Sequence, residues 1–286
     1  VTQHDVASLI DSAHVTAVTT VDARAALRAA VDAAAYWQPP SGEDVLAADP
    51  EVRTALRPLA ARLATTEGID WWWRDRAARQ WSIDGDGSAA WLEHDPRATL
   101  AAWAQKTHSD EVRAGRERPR DPHASWSGTW WSTPTGVPVT VGHLPDAFDL
   151  VEDSFGEALA HSTEVAASPM TLELRTADDW VALCREFPLE VTASRRHDWY
   201  RATGTNERWV IPDWNAVAET ADAVHLTVGC YLAAAGRALA TGDDFATMIA
   251  GWSPDTTVWL SELPVPGGVT TAWSRLPDSG EWLPVA

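Results

Sequence analysis

The segment ASRRHDWYRATGTNERW, residues 193–209, gathers Arg195, Arg196, His197, Trp199, Arg201, Arg208 and Trp209, with Trp214 close behind. Arginine forks bind carboxylate or phosphate bidentately, and indole faces accept sugars, bases or cations. The combination suits a small anionic, sugar-like or nucleotide-like ligand held by Arg195, Arg196, His197, Trp199, Arg201, Trp209 and Trp214. The opposing reading is that these arginines pair with carboxylates of the same half of the chain.

A second candidate lies in DAVHLTVG, where strand alternation puts Val224, Leu226 and Val228 on one face and His225, Thr227 and Gly229 on the other. His225 could act as acid or base or orient a ribose beside the Thr227 hydroxyl; the alternative is a half-buried, hydrogen-bonded strand histidine. Glu152 and Asp153 are adjacent carboxylates, but in a strand they would face opposite ways, which argues against a dyad. The nine histidines and two cysteines show no metal-ligand spacing, so no metal site is expected. Dinucleotide, P-loop and GxSxG signatures are absent.

Composition limits what these residues can serve. The 286 residues carry 22 basic and 41 acidic groups, a net charge of −19, which disfavours nucleic acid and anionic membranes as partners. Residues 121–286 hold 8 of the basic but 23 of the acidic groups, so the Arg195 to Arg208 cluster is a basic island in an acidic half. Cys184 and Cys230 read as small buried hydrophobes. The opening VTQHDVASLIDSAH has no basic-then-apolar leader and no run of eighteen apolar residues occurs, so a cytoplasmic location is expected. Eighteen tryptophans against three tyrosines and four phenylalanines are spread along the chain, each with a large ring to bury and an N–H to satisfy.

The elements that must position these residues divide at residues 109–128. Residues 1–108 read as mostly helical: Thr19 and Asp22 form a capping box before VDARAALRAAVDAAAYW, and Asp49-Pro50 and Asp95-Pro96 each open a further helix. Pro58 is placed to kink the second of these, and Gly-Asp-Gly at 85–87 suggests a hairpin. The polar segment 109–128 is the expected connection, followed by an α+β region over 129–286. There TWWST, PVTV, MTLEL, AVHLTV, FATMIAGW and TTVWLS read as strands, the last two joined as a hairpin around Ser253-Pro254-Asp255. Thr176 caps a helix over DDWVALCREF, and GCYLAAAGRALATG reads as a helix ending at Gly242. The expected class is α+β, a helical N-terminal region followed by a mixed or antiparallel sheet with intervening helices.

The series WWSTP, RRHDWYRATG, PDW at 212–214, VHLT at 224–227 and GWSPDTTVWL at 251–260 resembles a group of uncharacterised high-GC actinobacterial proteins over roughly the last 160 residues. That resemblance implies no activity. The order of an Arg-bearing strand, a hydroxyl-bearing strand, a helix and a late strand near Glu262 is distantly similar to ADP-ribosyltransferases of the Arg–Ser–Glu type. The similarity implies NAD as cofactor, Arg201 on its phosphate, Thr227 in place of serine, His225 in the same cleft and Glu262 steering the acceptor. Two departures stand against it: Leu226-Thr227-Val228 replaces Ser-Thr-Ser, and Leu260-Ser261-Glu262 replaces Glu/Gln-x-Glu. Three functions therefore follow: a ligand-binding protein with a Trp/Arg-lined cleft, an NAD-using transferase with no other cofactor implied, or an interaction or immunity-type protein with a protein partner.

Overall fold

The computed structural model describes residues 2–13, 17–85, 95–152, 158–166, 169–242, 244–261 and 265–285. Helices α1 (Gln3–Ser12) and α2 (Thr20–Asp32) each open on a capping box, Thr2 with Asp5 and Thr19 with Asp22, which satisfies otherwise orphaned amides. Short α3 (Glu43–Ala48) leads to α4 (Pro50–Ala64), where the Asp49 carboxylate accepts from the Glu51 and Val52 amides and Pro50 fills the first turn. The helix continues through Pro58 to its end.

A single 3-10 turn, Asp70–Trp73, precedes β1 (Gln80–Asp84). The hairpin expected at Gly-Asp-Gly lies largely outside the described residues. Helix α5 (Pro96–Glu117), capped by Asp95, takes up the first part of the expected connection, so the chain is irregular only from Arg118. The rest follows as β2 (Val139–Val141), β3 (Leu159–Ala166), β4 (Thr171–Leu174), α6 (Ala177–Glu186), β5 (Pro188–Glu190), α7 (Thr192–Thr203) and β6 (Arg208–Pro212). Then come α8 (Trp214–Val217), β7 (Ala223–Leu226), α9 (Val228–Ala234), β8 (Leu239–Gly242), β9 (Phe245–Thr247), β10 (Thr256–Trp259), β11 (Val265–Arg275) and β12 (Trp282–Pro284).

The fold is α+β. One sheet has the order β12-β11-β3-β1-β2-β10-β7-β4, antiparallel except where β4 runs parallel to β7. A smaller sheet has the order β5-β6-β9-β8. Strand β1 sits between β2 and β3, so the largely helical first part of the chain supplies an interior strand to the large sheet. The main core joins Leu27 and Val31 of α2, Leu100 of α5, Trp180 and Leu183 of α6, and Val224 and Leu226 of β7. Among the described residues no helix is long and apolar enough to cross a membrane.

Several local expectations are corrected. TWWST forms no strand, because its backbone is taken up singly by side chains and by Ala250 rather than by a neighbouring strand. Strands β9 and β10 belong to different sheets, so Ser253-Pro254-Asp255 is a crossing between sheets and not a hairpin. GCYLAAAGRALATG is helical only to Ala234; Gly236 adopts φ +69°, a left-handed conformation that ends the helix, and the remainder turns into β8.

Gln80 pins β1 to its neighbours. Its Oε1 accepts from the Thr140 hydroxyl at 2.7 Å and the Thr257 hydroxyl at 3.1 Å, while Thr140 Oγ1 accepts from the Trp259 indole at 2.9 Å. All four groups are buried. Replacing Gln80 by Leu strands two hydroxyl donors and is expected to cost about 1–3 kcal/mol, read from urea denaturation; an unchanged midpoint would show that the network contributes nothing.

Candidate functional site

Most of the basic island folds inward, while Arg208 stays exposed and pairs with Glu190 at 3.1 Å. Arg201, which the transferase similarity sets on a strand, lies in helix α7, closed by Gly204 at φ +71°. Arg195 is buried, donates to the Trp131 carbonyl at 3.3 Å and the Ser194 hydroxyl at 3.2 Å, and has its pKa pulled by burial down to about 10. Arg201 donates to the carbonyls of Trp37 and Trp126 at 2.7 and 2.8 Å and pairs with Asp198. Buried Asp198 also accepts from the Ser127 hydroxyl and the Gly128 amide. Arg196 reaches the Pro119 carbonyl at 3.0 Å. His197 is buried, and burial, Arg196 and Arg118 lower its pKa against the opposing pull of the Asp121 backbone and Asp198.

Trp199, Trp209 and Trp214 are fully buried. Trp199 and Trp209 meet edge to face at 5.1 Å, and the Trp199 and Trp214 indoles donate to the Trp130 and Ser132 carbonyls. Together these side chains clamp the irregular stretch after α5 onto α7, and Arg195 also lines a small cavity of about 80 Å³ with Trp103, Lys106, Asp110 and Trp131. Thr227 caps α9, accepting from the Cys230 amide and donating to the Leu174 carbonyl. Glu262 lies outside the described residues.

His225 belongs to an array that sequence reasoning missed. Parallel pairing of β4 with β7 sets Glu173 beside His225, and His225 Nδ1 lies 2.7 Å from Glu173 Oε2. Its Nε2 is 3.5 Å from Asp255 Oδ1, an ion-pair distance. The other Asp255 oxygen meets His143 Nδ1 at 2.9 Å and accepts from the Gly142 amide at 3.2 Å. His143, whose side chain is 30 % exposed, stacks on Trp71 with ring centroids 4.1 Å apart. The Arg76 amide donates to Glu173 Oε1, and Arg175 forks onto Asp75 alongside.

Burial by itself would lower the His225 pKa, but its bonds to Asp255 and Glu173 outweigh burial and leave it raised. For Asp255 burial pushes upward, and the bonds to His143 and His225 overcome it, leaving a lowered value. The array therefore sets His225 between two carboxylates, with one imidazole at the surface. Among the described residues no group of His, Cys, Asp and Glu is arranged to hold a metal ion.

A concave feature elsewhere in the fold is aromatic. A cavity of about 220 Å³ is walled by Tyr36, Trp131, Glu152, Tyr231, Trp252 and Ser253. Tyr36 and Tyr231 are buried, and their hydroxyls meet at 3.3 Å. Both also wall a neighbouring groove of about 460 Å³ lined by Ala33, Pro39, Pro40 and Leu232. Trp131 stacks on Trp130 at 4.4 Å, and Trp252 packs edge-on against Trp180 and Trp214. Gly251, at φ +68°, allows this: an added Cβ would come within 2.1 Å of the Trp131 ring. Trp252 is buried with an indole N–H that has no partner among the described residues. These walls come from five separate stretches of chain, so no local motif announced them; the sole local sign was a Gly-Trp-Ser run at 251–253.

No protein-family model matches the chain, and neither a curated protein nor a solved structure matches it.

The buried array makes stability depend on pH. The raised His225 pKa contributes fully below its unfolded value near about 6.5 and is lost as pH climbs through the folded value. The lowered Asp255 pKa contributes above its unfolded value near about 3.9 and is lost as pH falls through the folded one. The urea midpoint is therefore expected to peak in the weakly acidic range and to decline above neutrality. His225→Gln removes the cation between two buried carboxylates, costs about 3–5 kcal/mol, and abolishes the alkaline-side decline. An identical pH profile in the variant would refute the assignment.

Proposed function

We propose that the protein binds a small ligand in the cavity walled by Tyr36, Trp131, Tyr231 and Trp252. The observation that carries this reading is buried Trp252, whose indole N–H has no partner among the described residues, in the wall of a cavity flanked by two buried phenols. A buried donor left without an acceptor costs about 1–3 kcal/mol, and a ligand oxygen repays it. The Trp-lined concavity expected from sequence is thereby relocated from the α7 arginines to residues distant in the chain. Small-molecule sites are concave, aromatic-rich and carry few polar groups, which is how this cavity is composed.

The NAD-transferase reading loses its support at Arg201, which spends its donors on Trp37, Trp126 and Asp198, and at Thr227, which caps a helix. The two buried free thiols, Cys184 and Cys230, fit a reducing, cytoplasmic setting.

Trp131 is 38 % exposed, so it can be removed with little damage to the core. A thermal-shift and tryptophan-fluorescence panel of amines, sugars, nucleotides and organic acids is expected to contain a ligand that stabilises the protein. At a hundredfold excess over Kd the gain is about 2.7 kcal/mol. Trp131→Ala should weaken that ligand at least tenfold while leaving the unliganded Tm within a few degrees. If the ligand response survives Trp131→Ala unchanged, the site is elsewhere.

A further inference from the structure

We infer that the ligand of the Tyr36–Trp131–Tyr231–Trp252 cavity is a small organic cation, an ammonium or methylated amine bearing an oxygen acceptor. The inference rests on the reading of that cavity as a ligand site and specifies its chemistry.

Four aromatic residues and Glu152 stand in the cavity wall, and among the described residues Glu152 is the one charged residue lining it. Aromatic faces carry negative potential and attract cations, most strongly where water is excluded, and quaternary ammonium groups are recognised by such surrounds. Among the described residues no arginine, lysine or histidine lines the wall to receive an anion. The nearby cations have other duties: Arg195 donates to the Trp131 carbonyl, and Arg24 and Arg28 pair with Asp146.

The two phenols stay neutral. Burial comes first in pushing up the Tyr36 pKa, followed by its Tyr231 neighbour and the Glu152 charge; burial likewise holds Tyr231 up at about 12. Glu152 acts on both rings, so its negative field extends across the cavity. The protein's net charge of −19 also enriches cations at the surface around it.

Size and polarity narrow the class further. A volume of about 220 Å³ falls below the range of about 300–1,000 Å³ common for drug-sized ligands, which selects a compact head group. A bare tetraalkylammonium would leave the Trp252 N–H unsatisfied, whereas a hydroxyl or carboxyl oxygen on the same molecule accepts from it.

The test is a titration of the full chain with choline, with tetramethylammonium, and with the neutral carbon isostere of choline, in which a quaternary carbon replaces nitrogen. Glucose and acetate serve as neutral and anionic probes, and calorimetry and tryptophan fluorescence provide the readouts. Choline is expected to bind at least tenfold more tightly than its neutral isostere and more tightly than tetramethylammonium. Glu152→Gln should erase most of the preference over the isostere, with circular dichroism and the unliganded Tm checking that the fold is intact. Equal affinity for choline and the isostere, or undiminished choline preference in Glu152→Gln, overturns the cation assignment. Glucose binding without choline binding, lost in Trp131→Ala, would overturn it while preserving the cavity as a ligand site. Silence from every probe would overturn both.

Discussion

The irregular stretch from Trp126 to Thr133 runs between helices and sheet with no neighbouring strand, so its carbonyls must find donors one at a time. Side chains supply several of them. Arg201 serves Trp126, the Trp199 indole serves Trp130, Arg195 serves Trp131 and the Trp214 indole serves Ser132. Ser132 then exchanges three bonds with Ala250, through its amide, its hydroxyl and the Ala250 N–H. An indole is large enough to fill the space beside an irregular chain and carries one well-aimed donor, which a phenylalanine lacks. Two of the eighteen tryptophans answer this constraint directly, while others donate to side-chain oxygens, as Trp180 does to Thr247 and Trp259 to Thr140.

How much of this was legible depended on whether the partners were local. Capping boxes at Thr19 and Thr176 and the Asp-Pro starts at 49–50 and 95–96 satisfy amides within one helical turn, so sequence alone located α2, α4, α5 and α6. The strand-length, β-branched runs AVHLTV and TTVWLS likewise gave β7 and β10, although both strands are buried on both faces and β7 ends at Leu226, before helix α9 begins at Val228. The surroundings of the arginine island were hidden for the opposite reason. Arg195, Arg196 and Arg201 donate to backbone carbonyls at Trp131, Pro119, Trp37 and Trp126, and backbone acceptors leave no mark in residue types. The expectation that these arginines pair with carboxylates of the same half holds for two of the four, Arg201 with Asp198 and Arg208 with Glu190.

The same argument explains why His225 was singled out while its partners were not. A histidine in a strand is conspicuous, but Glu173 becomes its neighbour only through parallel pairing of β4 with β7, and parallel pairs join segments far apart in sequence. Asp255 read as a turn residue, and it is one, at φ +57° with its amide donating to the Leu226 carbonyl. Aspartate tolerates that conformation better than most residues, so one position meets a backbone need and an electrostatic one together.

The span from Gly251 to Asp255 links the two polar features of the molecule. Gly251, Trp252 and Ser253 stand in the cavity wall; two residues later Asp255 is held by His143, His225 and the Gly142 amide. Thr256 donates to the Ser253 carbonyl at 2.6 Å, tightening the turn between them. The aromatic wall is thus fixed at one end by Ser132 and Ala250 and at the other by a buried ion cluster. Rigid backing matters for a small cavity, because a side chain that must be ordered on binding subtracts its lost rotamer freedom from affinity. Here that entropy is already spent in folding, and the Trp252 ring is in place before any ligand arrives.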